Sequence, residues 1–207
     1  MKKGKKITTL FLDIGGVLLS NGWGHVFRNQ AAEKFHLDIA EMELRHKLMF
    51  EVYEQGAVTL DEYLDRVVFY QKRDFTSREF RDFIFSLTTP YTEMTELIKK
   101  LKEQYQLKII AVSNESKEFN KYRIQKFHLN SFIDFFVTSC YVHARKPDAA
   151  IFKLALEGVQ VPIDEIVYID DVQIFVDVAA DMGIKSILHT DYQSTFNALK
   201  ALGLQTN

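Results

Sequence analysis

The sequence predicts an α/β fold in which helices cover both faces of a parallel sheet. Two observations predict it: strands and helices alternate strictly after Pro90, and a buried strand also opens the chain. Between about residues 22 and 88 only helical periodicity is found, which indicates a helical unit inserted after the first strand. With 207 residues, of which 47% are hydrophobic, the chain can bury a large core.

The first strand is predicted over residues 7–12, an apolar and β-prone run typical of a buried parallel strand. It ends at Asp13, and the two glycines that follow, Gly15 and Gly16, indicate a turn. This strand belongs with the later alternating strands, because no other strand is predicted before Pro90.

The inserted unit is predicted to contain four amphipathic helices, over residues 25–35, 39–53, 60–70 and 77–86. Gly56 separates the second helix from the third. Thr59 is predicted to cap the third helix, with Glu62 completing a capping box.

The alternating region predicts a Rossmann-like parallel sheet with right-handed crossovers. Its predicted strands cover residues 107–112, 135–138, 166–169 and 184–188. Its predicted helices cover residues 93–104, 115–127, 148–157, 174–182 and 192–202. The chain therefore divides into an α/β core domain, residues 1–18 and 89–207, and a helical domain, residues 19–88.

Polar side chains follow the predicted strands, where open parallel sheets bind their ligands. These residues are Asp13, Ser113, Asn114, Lys146, Asp170 and Asp171. Three carboxylates at close range repel each other, and a hard divalent cation such as Mg²⁺ would relieve the repulsion. A cation, a lysine and hydroxyl donors make a site for a phosphoryl group, and a carboxylate there can attack the phosphorus.

The same positions resemble the four motifs of the haloacid dehalogenase-like (HAD) superfamily, in order and across nearly the whole chain. Residues 11–17 (FLDIGGV) resemble its first motif, and residues 112–114 (VSN) its second. Residues 145–148 (RKPD) resemble the third motif, and residues 168–171 (YIDD) the fourth. The helical insert resembles the C1-type cap of this superfamily, and Gly15 is typical of certain sugar-phosphate phosphatases within it.

The resemblance implies a Mg²⁺-dependent phosphatase that acts on a small phosphorylated metabolite through an aspartyl-phosphate intermediate. Asp13 is then the catalytic nucleophile, and Lys146 balances charge and binds phosphate. Ser113 and Asn114 are the other expected phosphate-binding residues. The expected metal ligands are Asp13, the backbone carbonyl of Gly15, Asp170 and, as a further candidate, Asp171.

Two positions depart from the superfamily pattern. Gly15 stands where an acid usually protonates the leaving group, and Ile174 stands where the fourth motif often has another acid. Asp171 and His25 are the alternatives for the acid that protonates the leaving group, which position 15 lacks. Ser113 and Asn114 also allow a second interpretation, in which they only cap the helix that follows.

Other functions remain as alternatives. A haloacid dehalogenase needs no metal and lacks an acid where Asp170 stands, so Asp170 and Asp171 favour phosphate chemistry. In a receiver-type phosphoacceptor the acidic pair follows the first strand and the acceptor comes later. This chain has the opposite order, since Asp13 follows the first strand and the pair Asp170 and Asp171 comes later. A catalytically degenerate HAD protein that only binds a partner is the remaining alternative, because of Gly15.

The composition predicts neither nucleic acid nor membrane as a partner. The net charge is −2, and no apolar stretch approaches the length that spans a bilayer. Cys140 is the only cysteine, which excludes an internal disulfide and favours a reducing compartment, here the cytoplasm.

Overall fold

The computed structural model describes residues 6–206 and shows one parallel sheet. Within this range five strands pair in the order β3-β2-β1-β4-β5, each parallel to its neighbours. They are β1 (Thr9–Leu12), β2 (Lys108–Ser113), β3 (Phe135–Thr138), β4 (Ile166–Asp170) and β5 (Lys185–Leu188). The predicted parallel α/β fold is confirmed. Residues 1–5 and 207, which the predicted core domain includes, lie outside the described residues.

The helices fall into two groups along the chain. Four lie between β1 and the alternating region: α1 (His25–Lys34), α2 (Ile39–Glu54), α3 (Leu60–Val67) and α4 (Ser77–Ser86). The others are α5 (Thr92–Tyr105), α6 (Lys117–Lys126), α7 (Ser139–Val142), α8 (Ala149–Val159), α9 (Gln173–Asp181) and α10 (Tyr192–Ala201). Among residues 6–206, no helix is both long enough and apolar enough to cross a membrane.

The two faces of the sheet are buried by different helices because successive side chains of a strand point to opposite faces. Leu10 and Leu12 of β1 pack in a cluster with Leu97 and Ile98 of α5. Phe11, between them in sequence, packs in a second cluster with residues of α8 and α9. Helices therefore cover both faces, as the sequence predicts.

Helices α1 to α4 share a hydrophobic cluster that contains none of the strand residues. Phe80 of α4 is fully buried in this cluster and contacts four other aromatic rings, with centroids 5.0–6.2 Å away. Those rings belong to Trp23, Phe35, Phe69 and Phe75. Phe119 of α6 joins the same cluster and so attaches the helical segment to the sheet region.

The local signal at the start of the third helix is confirmed. Thr59 and Glu62 form the predicted capping box at the start of α3. The prediction that α3 continues to residue 70 is wrong, since the helix ends at Val67 and Phe69 packs against Phe75 and Phe80. The short helix α7 was not predicted, because a helix of four residues leaves no periodicity to detect.

The end of α2 is anchored on the loops that follow the strands. The hydroxyl of Ser139 donates to the carbonyl oxygen of Glu54 at 2.7 Å, and Nδ1 of His143 donates to that of Gln55 at 2.8 Å. At Gly56 (φ +72°) a Cβ would lie 2.2 Å from the Cys140 carbonyl oxygen, so only glycine allows this approach. These contacts fix the last turn of α2 beside the loop that carries Lys146.

We expect Phe80→Ala to lower the free energy of unfolding by about 3–5 kcal/mol, because the surrounding aromatic rings cannot close the cavity that remains. Chemical denaturation followed by circular dichroism measures the change. Leu48→Ala on α2 is the control, since Leu48 is 74% exposed and its loss should cost less than about 0.5 kcal/mol. Equal losses in the two variants would show that Phe80 is not central to this core.

Candidate active site

The end of β1 places Asp13 at the centre of the carboxyl edge of the sheet. Leu12 is paired with Ile169 of β4, so Asp13 and Asp170 follow at the same level on adjacent strands. The backbone N–H of Asp13 donates to the Ile169 carbonyl oxygen at 3.0 Å, which extends the pairing by one residue. The expectation that these two carboxylates lie together is therefore met by the register of the strands.

Lys146 bridges the two carboxylates. Its Nζ lies 3.0 Å from Oδ1 of Asp13 and 2.6 Å from Oδ2 of Asp170, and its side chain is fully buried. The side-chain amide of Asn114 holds the Lys146 backbone, accepting from its N–H at 2.8 Å and donating to its carbonyl oxygen at 3.0 Å. A residue at the end of β2 thus positions the lysine between β1 and β4.

Asp170 and Asp171 have different surroundings. Asp170 accepts hydrogen bonds from the Tyr168 hydroxyl and from the Val172 N–H, the latter at 2.8 Å. Asp171 accepts at Oδ2 from the Asn21 side chain at 3.2 Å, whereas its Oδ1 is buried without a hydrogen-bond partner among the described residues. Gly16 makes room for this carboxylate, since its φ is +78° and a Cβ there would lie 2.0–2.5 Å from the Asp171 side chain.

The cluster contains more negative than positive charge. Burial raises the pKa of Asp13 to about 7, although the Lys146 ammonium acts to lower it. Burial likewise raises the pKa of Asp171. Burial disfavours the charged form of Lys146, but the carboxylates of Asp13 and Asp170 outweigh it and hold the pKa of Lys146 above its usual value. One ammonium group does not compensate three carboxylates, so a further cation would stabilise the cluster.

The geometry suits a hard divalent cation. Asp13, Asp170 and Asp171 each offer a carboxylate oxygen, and these oxygens lie within 4.8 Å of one another. The unpartnered Oδ1 of Asp171 is an oxygen that an ion would satisfy. An all-oxygen donor set is the kind that Mg²⁺ prefers. Gly15 lines the cavity beside Asp13, where its carbonyl was expected to contribute.

Ser113 and Asn114, at the end of β2, have distinct contacts. The Ser113 side chain is fully buried, and its hydroxyl oxygen accepts a hydrogen bond from the Ile14 N–H at 3.4 Å. As a hydrogen-bond donor, the same hydroxyl acts to lower the pKa of Asp13. Both ends of the Asn114 amide are occupied by Lys146, as described above. The interpretation that Ser113 and Asn114 only cap the next helix is wrong, because α6 begins at Lys117 and its N-cap is Ser116.

A cavity of about 390 Å³ opens above Asp13, between the strand ends and helices α1 and α2. Asp13, Asn114 and Asp171 form its floor from the strand side. The helical segment contributes polar and aromatic side chains, among them His25, Arg28, His46, Phe50, Tyr53 and Glu54. The cavity therefore joins the carboxylate cluster to the inserted helices.

Two ion pairs that line this cavity were missed by the sequence analysis. Glu54 pairs with Arg145 at 2.8 Å, and Glu115 pairs with Arg123 in a buried contact. Glu54 and Arg145 are 91 residues apart, so no local pattern in the sequence could have joined them. Glu115 and Arg123 are eight residues apart, but Glu115 precedes the helix that carries Arg123.

The position of Gly15 is closely surrounded. A Cβ at residue 15 would lie 2.9 Å from Oδ1 of Asn21, so a side chain would fit only if Asn21 moved. Of the two alternatives for the missing acid, Asp171 belongs to the carboxylate cluster. His25 is largely exposed, and its two ring nitrogens lie 2.9 Å from Glu43 Oε1 and 3.0 Å from Asn29 Nδ2.

Comparison with known proteins gives partial relatives among curated sequences. Bifunctional epoxide hydrolase 2 of Sus scrofa is 35% identical over 78 residues, which cover 37% of this chain and 14% of that protein. Drimenol cyclase drtB of Aspergillus calidoustus is 25% identical over 190 residues, which cover 88% of this chain and 34% of that protein. The chain thus spans about a third or less of the length of these curated relatives.

The fold is shared with a HAD family enzyme from Bacteroides thetaiotaomicron. Its crystal structure matches with a TM-score of 0.76 at 23% identity, over 89% of this chain and 94% of that one. Another structure of that enzyme is a complex with magnesium and inorganic phosphate. The family model of the haloacid dehalogenase-like hydrolases matches residues 7–183. Because this match covers most of the sheet and the whole helical insert, the chain belongs to the haloacid dehalogenase-like hydrolase family.

Proposed function

We propose that this hydrolase is a Mg²⁺-dependent phosphatase that cleaves a small phosphate monoester. The observation that carries the proposal is the buried cluster of Asp13, Lys146, Asp170 and Asp171, which borders a cavity of about 390 Å³. The magnesium and phosphate complex of the Bacteroides thetaiotaomicron enzyme supports it.

Magnesium would be held by the carboxylates of Asp13, Asp170 and Asp171 and the carbonyl of Gly15, and when bound it supplies positive charge that neutralises phosphate oxygens. Asp13 acts as the nucleophile, and its carboxylate oxygen forms a bond to phosphorus as the ester bond breaks. Lys146 orients this carboxylate and stabilises the negative charge on the transferred group. Water then hydrolyses the aspartyl phosphate and regenerates Asp13.

Two residues at the end of β2 take separate roles in this proposal. The Ser113 hydroxyl, which acts on Asp13 as a hydrogen-bond donor in this structure, turns its hydrogen to a phosphate oxygen when the substrate is bound. Asn114 was expected to bind phosphate, but its amide is committed to the Lys146 backbone at 2.8 and 3.0 Å. We therefore assign Asn114 to positioning Lys146.

Residues 19–88 act as a cap that selects the substrate. The walls of the cavity that come from this segment combine charged side chains with aromatic rings, which suits a small polar metabolite such as a sugar phosphate. The proposal also places the enzyme in a reducing compartment such as the cytoplasm, because Cys140 is the only cysteine of the chain.

We expect Asp13→Asn to lower Mg²⁺-dependent hydrolysis of p-nitrophenyl phosphate by at least about 1,000-fold, since the amide is not a nucleophile. Release of p-nitrophenolate, with and without Mg²⁺, measures the change. Asp82→Asn is the matched control, because Asp82 is 73% exposed on α4 and should keep wild-type turnover. Metal-independent turnover of a chloroacid by the wild type would instead indicate a dehalogenase.

Magnesium binding should also be visible without catalysis. We expect Mg²⁺ to raise the melting temperature of the wild type, because a ligand at 100 times its Kd stabilises the folded state by about 2.7 kcal/mol. For Asp170→Asn, Mg²⁺ should not raise the melting temperature above the value that the same variant has in EDTA. Asp177→Asn, whose side chain contacts Gln173 at 2.7 Å outside the cluster, should keep it. An unchanged increment in Asp170→Asn would refute the assigned metal site.

A further inference from the structure

The proposed reaction, on which this inference rests, leaves one role unfilled. A basic leaving group, such as an alkoxide or an unsubstituted phenoxide, needs a proton as it departs, and Gly15 has no side chain to supply one. Besides the cluster itself, two carboxylic acids line the cavity near Lys146: Glu54 from α2 and Glu115 from the loop before α6. Their contacts distinguish them.

Glu115 is more deeply buried than Glu54 and is paired with Arg123. Its Oε1 accepts a hydrogen bond from Arg123, and both side chains are only 3% exposed. The other terminal nitrogen of Arg123 donates to the Ser20 carbonyl oxygen at 2.8 Å, which fixes the pair between β2 and the start of the helical segment. This ion pair links the two segments structurally. Burial raises the pKa of Glu115 although Arg123 acts to lower it, so the two acids differ in their exposure and contacts and not in the direction of their pKa shift.

Glu54 keeps one oxygen available. Its Oε2 accepts both hydrogen bonds from Arg145, from Nε at 3.0 Å and from Nη2 at 2.8 Å. Its Oε1 makes no hydrogen bond to the described part of the chain, and the side chain is 12% exposed where it borders the cavity. One oxygen is thus anchored, while the other has no hydrogen bond within the described residues and belongs to a side chain that lines the same cavity as Asp13.

The surroundings of Glu54 also favour its protonated form. Burial raises the pKa of Glu54 to about 7, and the Glu115 carboxylate acts in the same direction. Arg145 and Lys146 act to lower it but do not cancel the effect of burial. Tyr63, on α3, is a further ionisable group that interacts with Glu54, and Glu51, one turn earlier on α2, shares its partner Arg145.

We propose that Glu54 is the proton donor for the leaving group, in place of the acid that position 15 lacks. As the bond between phosphorus and the ester oxygen breaks, the Glu54 carboxyl gives its proton to that oxygen and becomes a carboxylate. Asp13 then carries the phosphoryl group. In the second step the Glu54 carboxylate takes a proton from water as the water oxygen forms a bond to phosphorus. The bond between phosphorus and the Asp13 oxygen breaks, which regenerates the Asp13 carboxylate and releases inorganic phosphate.

The helical segment holds Glu54 in a defined position for this role. The Glu54 carbonyl oxygen accepts from the Ser139 hydroxyl at 2.7 Å, and the next residue, Gln55, is bonded to His143. Ser139 begins α7 and His143 follows its last residue, and the chain then leads to Lys146. The acid and the lysine are therefore fixed relative to each other, although the acid comes from the inserted helices.

The test is the dependence of Glu54→Gln on the leaving group. A p-nitrophenolate departs without protonation, whereas the phenolate of phenyl phosphate is more basic and gains from an acid. We expect kcat/KM to fall about 100-fold for phenyl phosphate and by less than about 5-fold for p-nitrophenyl phosphate. The ratio kcat/KM is used because it reports transfer to Asp13 and not the later hydrolysis.

The matched control is Glu51→Gln. Glu51 also pairs with Arg145, at 3.2 Å, but it is 76% exposed, so this variant should keep both kcat/KM values within about 2-fold. Equal losses on the two esters in Glu54→Gln, or no loss on phenyl phosphate, would overturn the assignment of Glu54. Wild-type inactivity toward both esters would contradict the proposed phosphatase function instead, which separates the two failures.

Discussion

The ammonium group of Lys146 holds together the strand ends on which the site is built. It contacts the carboxylates of Asp13 and Asp170 at 3.0 and 2.6 Å in a fully buried position. Removing one partner of a buried ion pair typically costs about 3–5 kcal/mol, since the remaining charge stays desolvated. The cluster nevertheless sets three carboxylates against this one ammonium group. This imbalance makes the site receptive to a cation and to an anionic group brought with it.

The parallel sheet sets the positions of the carboxylates that contact Lys146. Because β1 lies between β2 and β4, one strand end carries Asp13 while its neighbours carry Ser113 and Asp170. The lysine comes from further away, after β3, and the Asn114 amide fixes its backbone. Each residue of the cluster thus has its position set by a strand end or by a hydrogen bond to one.

The helical segment contributes a different kind of control. Its own aromatic core, around Phe80, makes it a packed unit, and the end of α2 is bonded to the loops beyond the sheet. In this way Glu54 and Arg145 come to line the same cavity as Asp13. We infer that the insert completes the chemistry of the site as well as limiting which substrates enter.

The sequence by itself determined the fold class, nearly every strand and helix, and the residues that follow the strands. It could do so because these features have local causes: apolar runs, helical periodicity, capping boxes and turn glycines. It also identified Asp13, Lys146, Asp170 and Asp171 as partners, because parallel strands bring their carboxyl ends to one edge. The tertiary structure alone decided which polar groups satisfy one another across the cavity. Asn114 is bonded to Lys146 and Glu54 to Arg145 because segments 32 and 91 residues apart pack together, which no local pattern records. Glu115 and Arg123 are only eight residues apart, but Glu115 lies before the helix that carries Arg123.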